Sequence, residues 1–320
     1  MHMVLELFLH QTQQMVLMEI YGISTKKRYN NNMTLSVKES GAWRTITGLY
    51  VKASGVWRSA TNGYIKSGGV WREFFTSAIN VTVSTNQTDF NLYTAAVAAG
   101  YDGTSAKTII CTINSGIVIN ASGTGTPAFT FGSIPGTCTV EIINLGTIEG
   151  AGGAGGKGGD PTTPGGTGPA TPGNNAGNAM NITCPTTITN GSGYIWGGGG
   201  GGGGGAELDI TVGKTDRSAG GGGGGGGAGN AVGAGGAAVL GGVSGSAGTN
   251  SAGGAGGAGG TDGAYSAGAG GAGGNPGVDG NTGGGPGAAG GAAGKAINLN
   301  GNSVTWVSGS TDPNVKGVVS

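Results

Sequence analysis

The chain has 320 residues with 15 basic and 15 acidic side chains, and a quarter of it (79 residues) is glycine, with 9% charged and 6% aromatic residues. Zero net charge on so few charges excludes a strongly charged disordered chain and a basic nucleic-acid binder. Glycine at more than three times its usual share of roughly 7% leaves half the chain with little to bury, which argues against an ordinary globular enzyme of this length.

Residues 1–32 form an N-terminal extension. MHMVLELFLHQTQQMVLMEIYG lacks a basic leader region and is interrupted by Glu6, so it is a poor signal peptide. No apolar run reaches the ~18 residues of a membrane span. The segment reads either as a short amphipathic helix or as sequence ahead of a natural start at Met33.

Residues 33–77 carry a repeat with a period of 14: VKESGAWRTITGLY (37–50), VKASGVWRSATNGY (51–64) and IKSGGVWREFF (65–75). Each unit predicts strand, Gly turn, strand, which gives three β-hairpins with Trp and Tyr along one face. The regular Lys and Arg read more readily as cover for an open sheet face than as an anion site. Residues 78–149 predict a small β module for attachment, from INVTVS, TIICTI, IVIN and TVEIIN. NLYTAAVAAG (91–100) is its one expected helix, with Asp89 or Asn91 near the N-terminus.

At Gly150 the composition breaks. Only fifteen glycines precede it, and 61 lie between Gly150 and Gly294. A flexible linker would be polar and Ser-rich. Collagen would need strict G-X-Y and abundant Pro. The favoured reading of residues 150–295 is a bundle of polyglycine II helices, extended threefold rods whose free N–H groups bond sideways to neighbours. A rod surrounded by others must be Gly on all three faces, as Gly197–Gly205 and Gly220–Gly227 are. A peripheral rod carries side chains at some positions, as 150–159, 252–260 and 267–274 do. Short strand units recur at the entrance (Asn144–Gly150), within (Ala179–Gly197) and at the exit (Ala296–Trp306), which predicts one shared platform, with residues 296–320 as the C-terminal capping strand. The fold class is therefore mostly β and non-regular: hairpin repeats and a small β module, then a polyglycine II bundle with capping strands.

Catalytic chemistry is sparse. The only histidines are His2 and His10, and no nucleophile–base pair can be built away from them. Gly213-Lys214-Thr215 ends like a phosphate-binding loop, but Leu208 stands where its first Gly must be. Glu207, Asp209 and Asp216 lack a calcium-loop pattern. Cys111, Cys138 and Cys184 are odd in number and widely spaced, with no metal pattern. Buried thiols are expected, and spacing does not decide whether Cys111 and Cys138 pair. No catalytic residue, metal or cofactor is assigned, and the chain reads as a non-enzyme.

TIEGAGGAGGKGG, GYIWGGGGGGGGG, RSAGGGGGGGGAGN and GGAAGKAINLNGNSVTW resemble the Gly-rich adhesins at the tail-fibre tips of T-even-like bacteriophages, over roughly residues 130–310. The hairpin repeats at 37–75 resemble modules of tailed-phage structural proteins. The resemblance implies a polyglycine II bundle whose far-end loops bind a receptor on the bacterial surface and whose near end caps a trimeric fibre. With rods at 150–159, 197–205, 220–227, 233–242, 252–260, 268–274 and 283–294 alternating in direction, the far-end loops fall at 160–176, 206–219, 243–251 and 275–282. Their candidate receptor contacts are Asp160, Asn174, Lys214, Asp216, Arg217, Asn250, Asn275 and Asp279. These loops hold no aromatic residue, and Tyr194, Trp196 and Tyr265 fall at the platform.

The function implied is host attachment by a virion tail-fibre adhesin. The partners implied are a bacterial surface protein or glycan and another tail-fibre protein at the N-terminal end, with neither nucleic acid nor a membrane span. The alternative is a structural fibre, spike or decoration protein without a receptor of its own, which the lack of aromatics at the tips would favour. A Gly-rich cell-surface or matrix protein is a third class.

Overall fold

In a computed structural model the residues described are 4–8, 15–19, 36–39, 42–45, 49–53, 56–60, 62–67, 70–76, 78–161 and 168–320, with side chains from residue 78 onward. The chain divides into two units, Met1–Ile79 and Asn80–Ser320.

In the first unit β1 (Val4–Phe8) and β2 (Met15–Glu19) pair antiparallel, where a short helix was an alternative. Each of the two segments is five residues long, less than two helical turns, and the polar HQTQQ separates them. β3 (Ser36–Glu39) with β4 (Ala42–Thr45), β5 (Leu49–Ala53) with β6 (Val56–Ala60), and β7 (Asn62–Ser67) with β8 (Val70–Thr76) are the three hairpins of the 14-residue repeat. Their registers agree: Lys38 lies opposite Trp43, Lys52 opposite Trp57 and Lys66 opposite Trp71. The expected Trp/Tyr stacking and basic cover concern side chains outside the described residues.

The second unit opens with a parallel, three-faced β-solenoid. Its first coil is β9 (Ile79–Val83), β10 (Gln87–Thr88) and β11 (Phe90–Asn91), followed by α1 (Leu92–Ala98). The side chain of Asn91 caps α1 by accepting from the Thr94 N–H at 3.1 Å. The second coil is β12 (Thr108–Ile113), β13 (Val118–Asn120) and β14 (Phe129–Thr130). The third is β15 (Thr139–Asn144), β16 (Thr147–Glu149) and β17 (Met180–Asn181). The fourth begins with β18 (Thr186–Thr189) and β19 (Tyr194–Trp196). A long excursion carrying β20 (Leu208–Val212), β21 (Thr215–Ala219), β22 (Thr261–Asp262) and β23 (Tyr265–Ser266) then precedes its third strand, β24 (Ile297–Asn298). The last coil is β25 (Val304–Ser308) and β26 (Val315–Lys316). Successive strands visit three sheets in turn, in the orders β25-β18-β15-β12-β9, β10-β13-β16-β19-β26 and β11-β14-β17-β24.

Stacking aligns like with like. Cys111, Ile142 and Ile188 are in register on the first face, Ile119, Ile148 and Ile195 on the second, and Phe129, Met180 and Ile297 on the third. All nine are fully buried. Alternation with a period of two sends their neighbours outward, so an apolar column fills the solenoid. The three thiols are free and buried, and burial pushes Cys111 up to about 12. After the first face, Asn144 and Asn190 form a buried ladder. Asn144 Nδ2 donates to Asn190 Oδ1 at 2.7 Å and to the Tyr194 carbonyl at 3.1 Å, and Asn190 Nδ2 donates to the carbonyls of Gly309 and Asn314.

Both excursions leave from the second face, after Glu149 and after Trp196, and return to the third. They contain ten segments: 150–159, 171–177, 197–206, 220–229, 233–239, 243–249, 252–260, 267–274, 278–284 and 287–294. These bond to one another laterally, every third residue to the same neighbour. In 198–206, Gly198, Gly201 and Gly204 donate to Gly177, Asn174 and Thr171; Gly199, Gly202 and Gly205 donate to Ala228, Gly225 and Gly222; and Gly200, Gly203 and Ala206 donate to Val278, Asn281 and Gly284, all at 2.8–3.1 Å. Their carbonyls accept from three further segments, 153–159, 268–274 and 288–294. Six neighbours thus surround one segment, and Gly197–Gly205 and Gly220–Gly227 are buried throughout. A Cβ on any of Gly197–Gly205 would meet a neighbouring carbonyl.

Pairing gives the directions. Gly153, Gly156 and Gly159 bond in rising order to Gly199, Gly202 and Gly205, so 150–159 and 197–206 run the same way. Segment 220–229 runs against them, and directions alternate along the chain. This corrects the expected topology. Segments 243–249 and 278–284 had been read as loops, so 252–260 runs outward rather than back, and 267–274 back rather than outward.

At the root of the first segment, Glu149 is 3% exposed, and its Oε1 has no hydrogen-bond partner. Burial away from water raises its carboxyl from the usual value to about 7. The folded chain therefore holds a proton that the unfolded chain has released. Stability falls as pH rises from about 4.5 towards 7 and stays lower above that. Glu149→Gln is expected to flatten this part of the profile and to raise the urea midpoint at pH 8 but not at pH 4. Unfolding curves at the two pH values check it, and an equal shift at both would contradict the assignment.

Candidate functional site

The end of the bundle away from the solenoid collects five connections: 160–170 (described by 160, 161 and 168–170), 207–219, 239–242, 261–266 and 285–287. The second is the antiparallel hairpin β20–β21, in which Val212 lies opposite Thr215 across Gly213-Lys214, with Gly213 at φ +66°. The fourth is the shorter hairpin β22–β23, turning at Gly263 (φ +64°). Both turns need the left-handed region, which glycine enters at little cost. In the first connection the Asp160 N–H donates to the Gly168 carbonyl. In the third the Gly220 N–H donates to the Leu240 carbonyl, and Gly242 to Val239. In the fifth, Gly285 faces the methyl of Ala206.

The two hairpins are joined by an ion pair. Arg217 Nη1 donates to Asp262 Oδ1 at 2.8 Å, and the Ser218 N–H donates to Asp262 Oδ2 at 3.1 Å. The hydrogen bond from Arg217, then that from Ser218, holds the Asp262 carboxyl below the usual carboxylate range. Asp216 accepts from Thr211 Oγ1 across the first hairpin at 2.8 Å. Around these lie apolar side chains open to solvent: Ile210 (36%), Val212 (40%), Leu240 (47%) and Tyr265 (38%).

Of the eight candidate contacts, Asp160, Lys214, Asp216 and Arg217 lie at this end. Asn174 lies partway down a returning segment, where its carbonyl accepts from the Gly201 N–H. Asn250, Asn275 and Asp279 lie at the solenoid end, which corrects the expected far-end loops 243–251 and 275–282. Gly277 bonds to Gly197 there, and Thr249 turns onto Ala252. Two of the three serve neighbouring backbone: Asn275 Oδ1 accepts from the Gly253 N–H and Asp279 Oδ1 from the Ala293 N–H. Tyr265 moves the other way, from the expected platform to the far end. Asp262, Tyr265, Ile210, Val212 and Leu240 were missed. Asp262-Gly263 is itself a hairpin signal, and Leu208–Val212 before Gly213 carries β-branched residues suited to a strand.

Among the described residues no three His, Cys, Asp or Glu side chains gather to hold a metal ion, and no helix is long and apolar enough to cross a membrane. The family model "Phage tail fibre adhesin Gp38" matches residues 78–318, and the chain belongs to that family. As a member of it, the chain is a phage tail-fibre adhesin, a component of the virion. Among solved structures, the crystal structure of the gp37–gp38 adhesin tip complex of the bacteriophage S16 long tail fibre is similar at 24% identity, with a TM-score of 0.46, over 76% of this chain and 82% of that one. No curated protein matches the chain.

Proposed function

We propose that the adhesin binds a protein or glycan receptor on the bacterial surface through the five far-end connections. The carrying observation is that Ile210, Val212, Leu240 and Tyr265 are all exposed at this end, which also holds Lys214 and Asp216. Exposed apolar and aromatic side chains rimmed by polar ones mark contact sites. Tyr265 at this end also removes the feature that favoured a structural component without a receptor.

The arm is read as a polyglycine II bundle, supported by the three-residue period of its lateral hydrogen bonds. The opposite end is assigned to a second tail-fibre protein. In this reading residues 33–77 are hairpin repeats, 78–149 serve attachment, 150–295 form the arm, 296–320 cap it and 1–32 extend the N-terminus.

Ile210→Asp with Val212→Asp, and separately Tyr265→Asp, are expected to reduce binding of the purified chain to host cells at least tenfold. The thermal midpoint should stay within about 2 °C, because these positions are exposed. Unchanged cell binding in both variants would refute the assignment of the receptor site to this end.

A further inference from the structure

We infer that Arg217 and Asp262 are positioning residues that lock the hairpins at 207–219 and 261–266 into one recognition surface. This rests on the receptor reading above. The two partners are 45 residues apart in sequence, on connections that share no backbone ladder with each other. The carboxylate of Asp262 is used on both oxygens, one by the Arg217 guanidinium and one by the backbone of Ser218. The guanidinium also lies under the second turn, where a Cβ on Gly263 would stand 3.1 Å from Nη1. Nε is buried without a partner, so the pair is held through a single donor.

Consequences follow from this geometry. Arg217 is turned onto Asp262 of the neighbouring hairpin, so in this inference it acts on a receptor through the loops it holds rather than by touching it. Val212 and Lys214 come from one hairpin and Tyr265 from the other, and beyond the Gly260–Gly220 bond at their roots the two are linked through Asp262, by Arg217 and the Ser218 N–H. An exposed ion pair contributes little to global stability. Its effect is to hold the two loops in place before binding, which spares the ordering cost at contact and lengthens the life of the complex.

The test uses the full chain with four variants: Arg217→Ala, Arg217→Lys, Asp262→Ala and the exchange Arg217→Asp with Asp262→Arg. Amide exchange at Ser218 and across 261–266 is read without any receptor, and dissociation from host cells is read separately. Each alanine variant is expected to speed exchange in 261–266 at least fivefold and dissociation about tenfold, with the thermal midpoint nearly unchanged. Lysine, which keeps one donor and the charge, and the exchanged pair are expected to recover most of both readouts.

Loss of cell binding in Arg217→Ala with exchange unchanged and no rescue would make Arg217 a direct contact and overturn the inference. Unchanged dissociation in both alanine variants would overturn it too. If the unaltered chain binds no host cells, the receptor reading fails by itself, and the exchange data still decide whether the pair orders the two loops.

Discussion

Gly201→Ala is expected to destabilise the arm by about 3 kcal/mol or more, at or beyond the upper end of overpacking effects in ordinary cores. In an ordinary core a flexible side chain gives way. At Gly201 the new methyl faces the carbonyl of Ala154 and the backbone beside it, and the obstacle cannot rotate aside. Moving the segment instead would strain the bond from the Gly201 N–H to Asn174 and the bond it accepts from Gly291. Buried peptide groups that lose partners cost about 1–3 kcal/mol each. Gly125→Ala is the matched control: its position opens on empty space and needs no unusual backbone angle. Urea midpoints and amide exchange over Gly197–Gly205 and Gly220–Gly227 check the result. Wild-type midpoints and protection in Gly201→Ala would mean that this segment is not enclosed by neighbours.

Asn190→Ala is expected to cost about 3 kcal/mol and to lower the thermal midpoint by several degrees. Asn190 is fully buried, takes a hydrogen bond from Asn144 and gives two to the carbonyls of Gly309 and Asn314. Each net bond is worth about 1 kcal/mol, and the groups left behind are out of reach of water. The damage should centre on the turn after β25, because Gly309 and Asn314 belong to the last coil. Faster exchange of the Val315 and Lys316 amides, with the far-end loops unaffected, would locate it there. A change below about 0.5 kcal/mol would show the ladder to be replaceable.

The solenoid was partly legible in the sequence. GTIEG and GYIWG look alike because β16 and β19 are neighbours in one sheet, with Ile148 over Ile195. That likeness correctly pointed to a shared platform. Its three-faced winding was not legible, because several strands have only two or three residues, too few for alternation to show. In the arm, segments with neighbours on every side announced themselves as Gly runs. The outer ones did not. Segment 243–249 has Gly245 and Gly248 facing segment 220–229, with Val243, Ser244, Ser246, Ala247 and Thr249 at its other positions. Segment 278–284 likewise turns Gly280 and Gly283 towards 197–206. A single glycine in three suffices when a single face is packed, so glycine density understates the number of segments. Two missed segments inverted the direction of those between them, and this carried Asn250, Asn275 and Asp279 to the wrong end and Tyr265 to the other.

The same alternation limits how such an arm can change over time. Both excursions leave and re-enter the solenoid on neighbouring faces, so each must contain an even number of passes: two in the first and eight in the second. A duplication that added one pass would strand the chain at the tip, away from β24 and the closing coil. One that added an out-and-back pair would leave every junction with the solenoid intact and add one more loop beside the other five. The adhesin can therefore gain or lose far-end loops as whole units, through a lattice of peptide groups that does not register which side chains the loops carry.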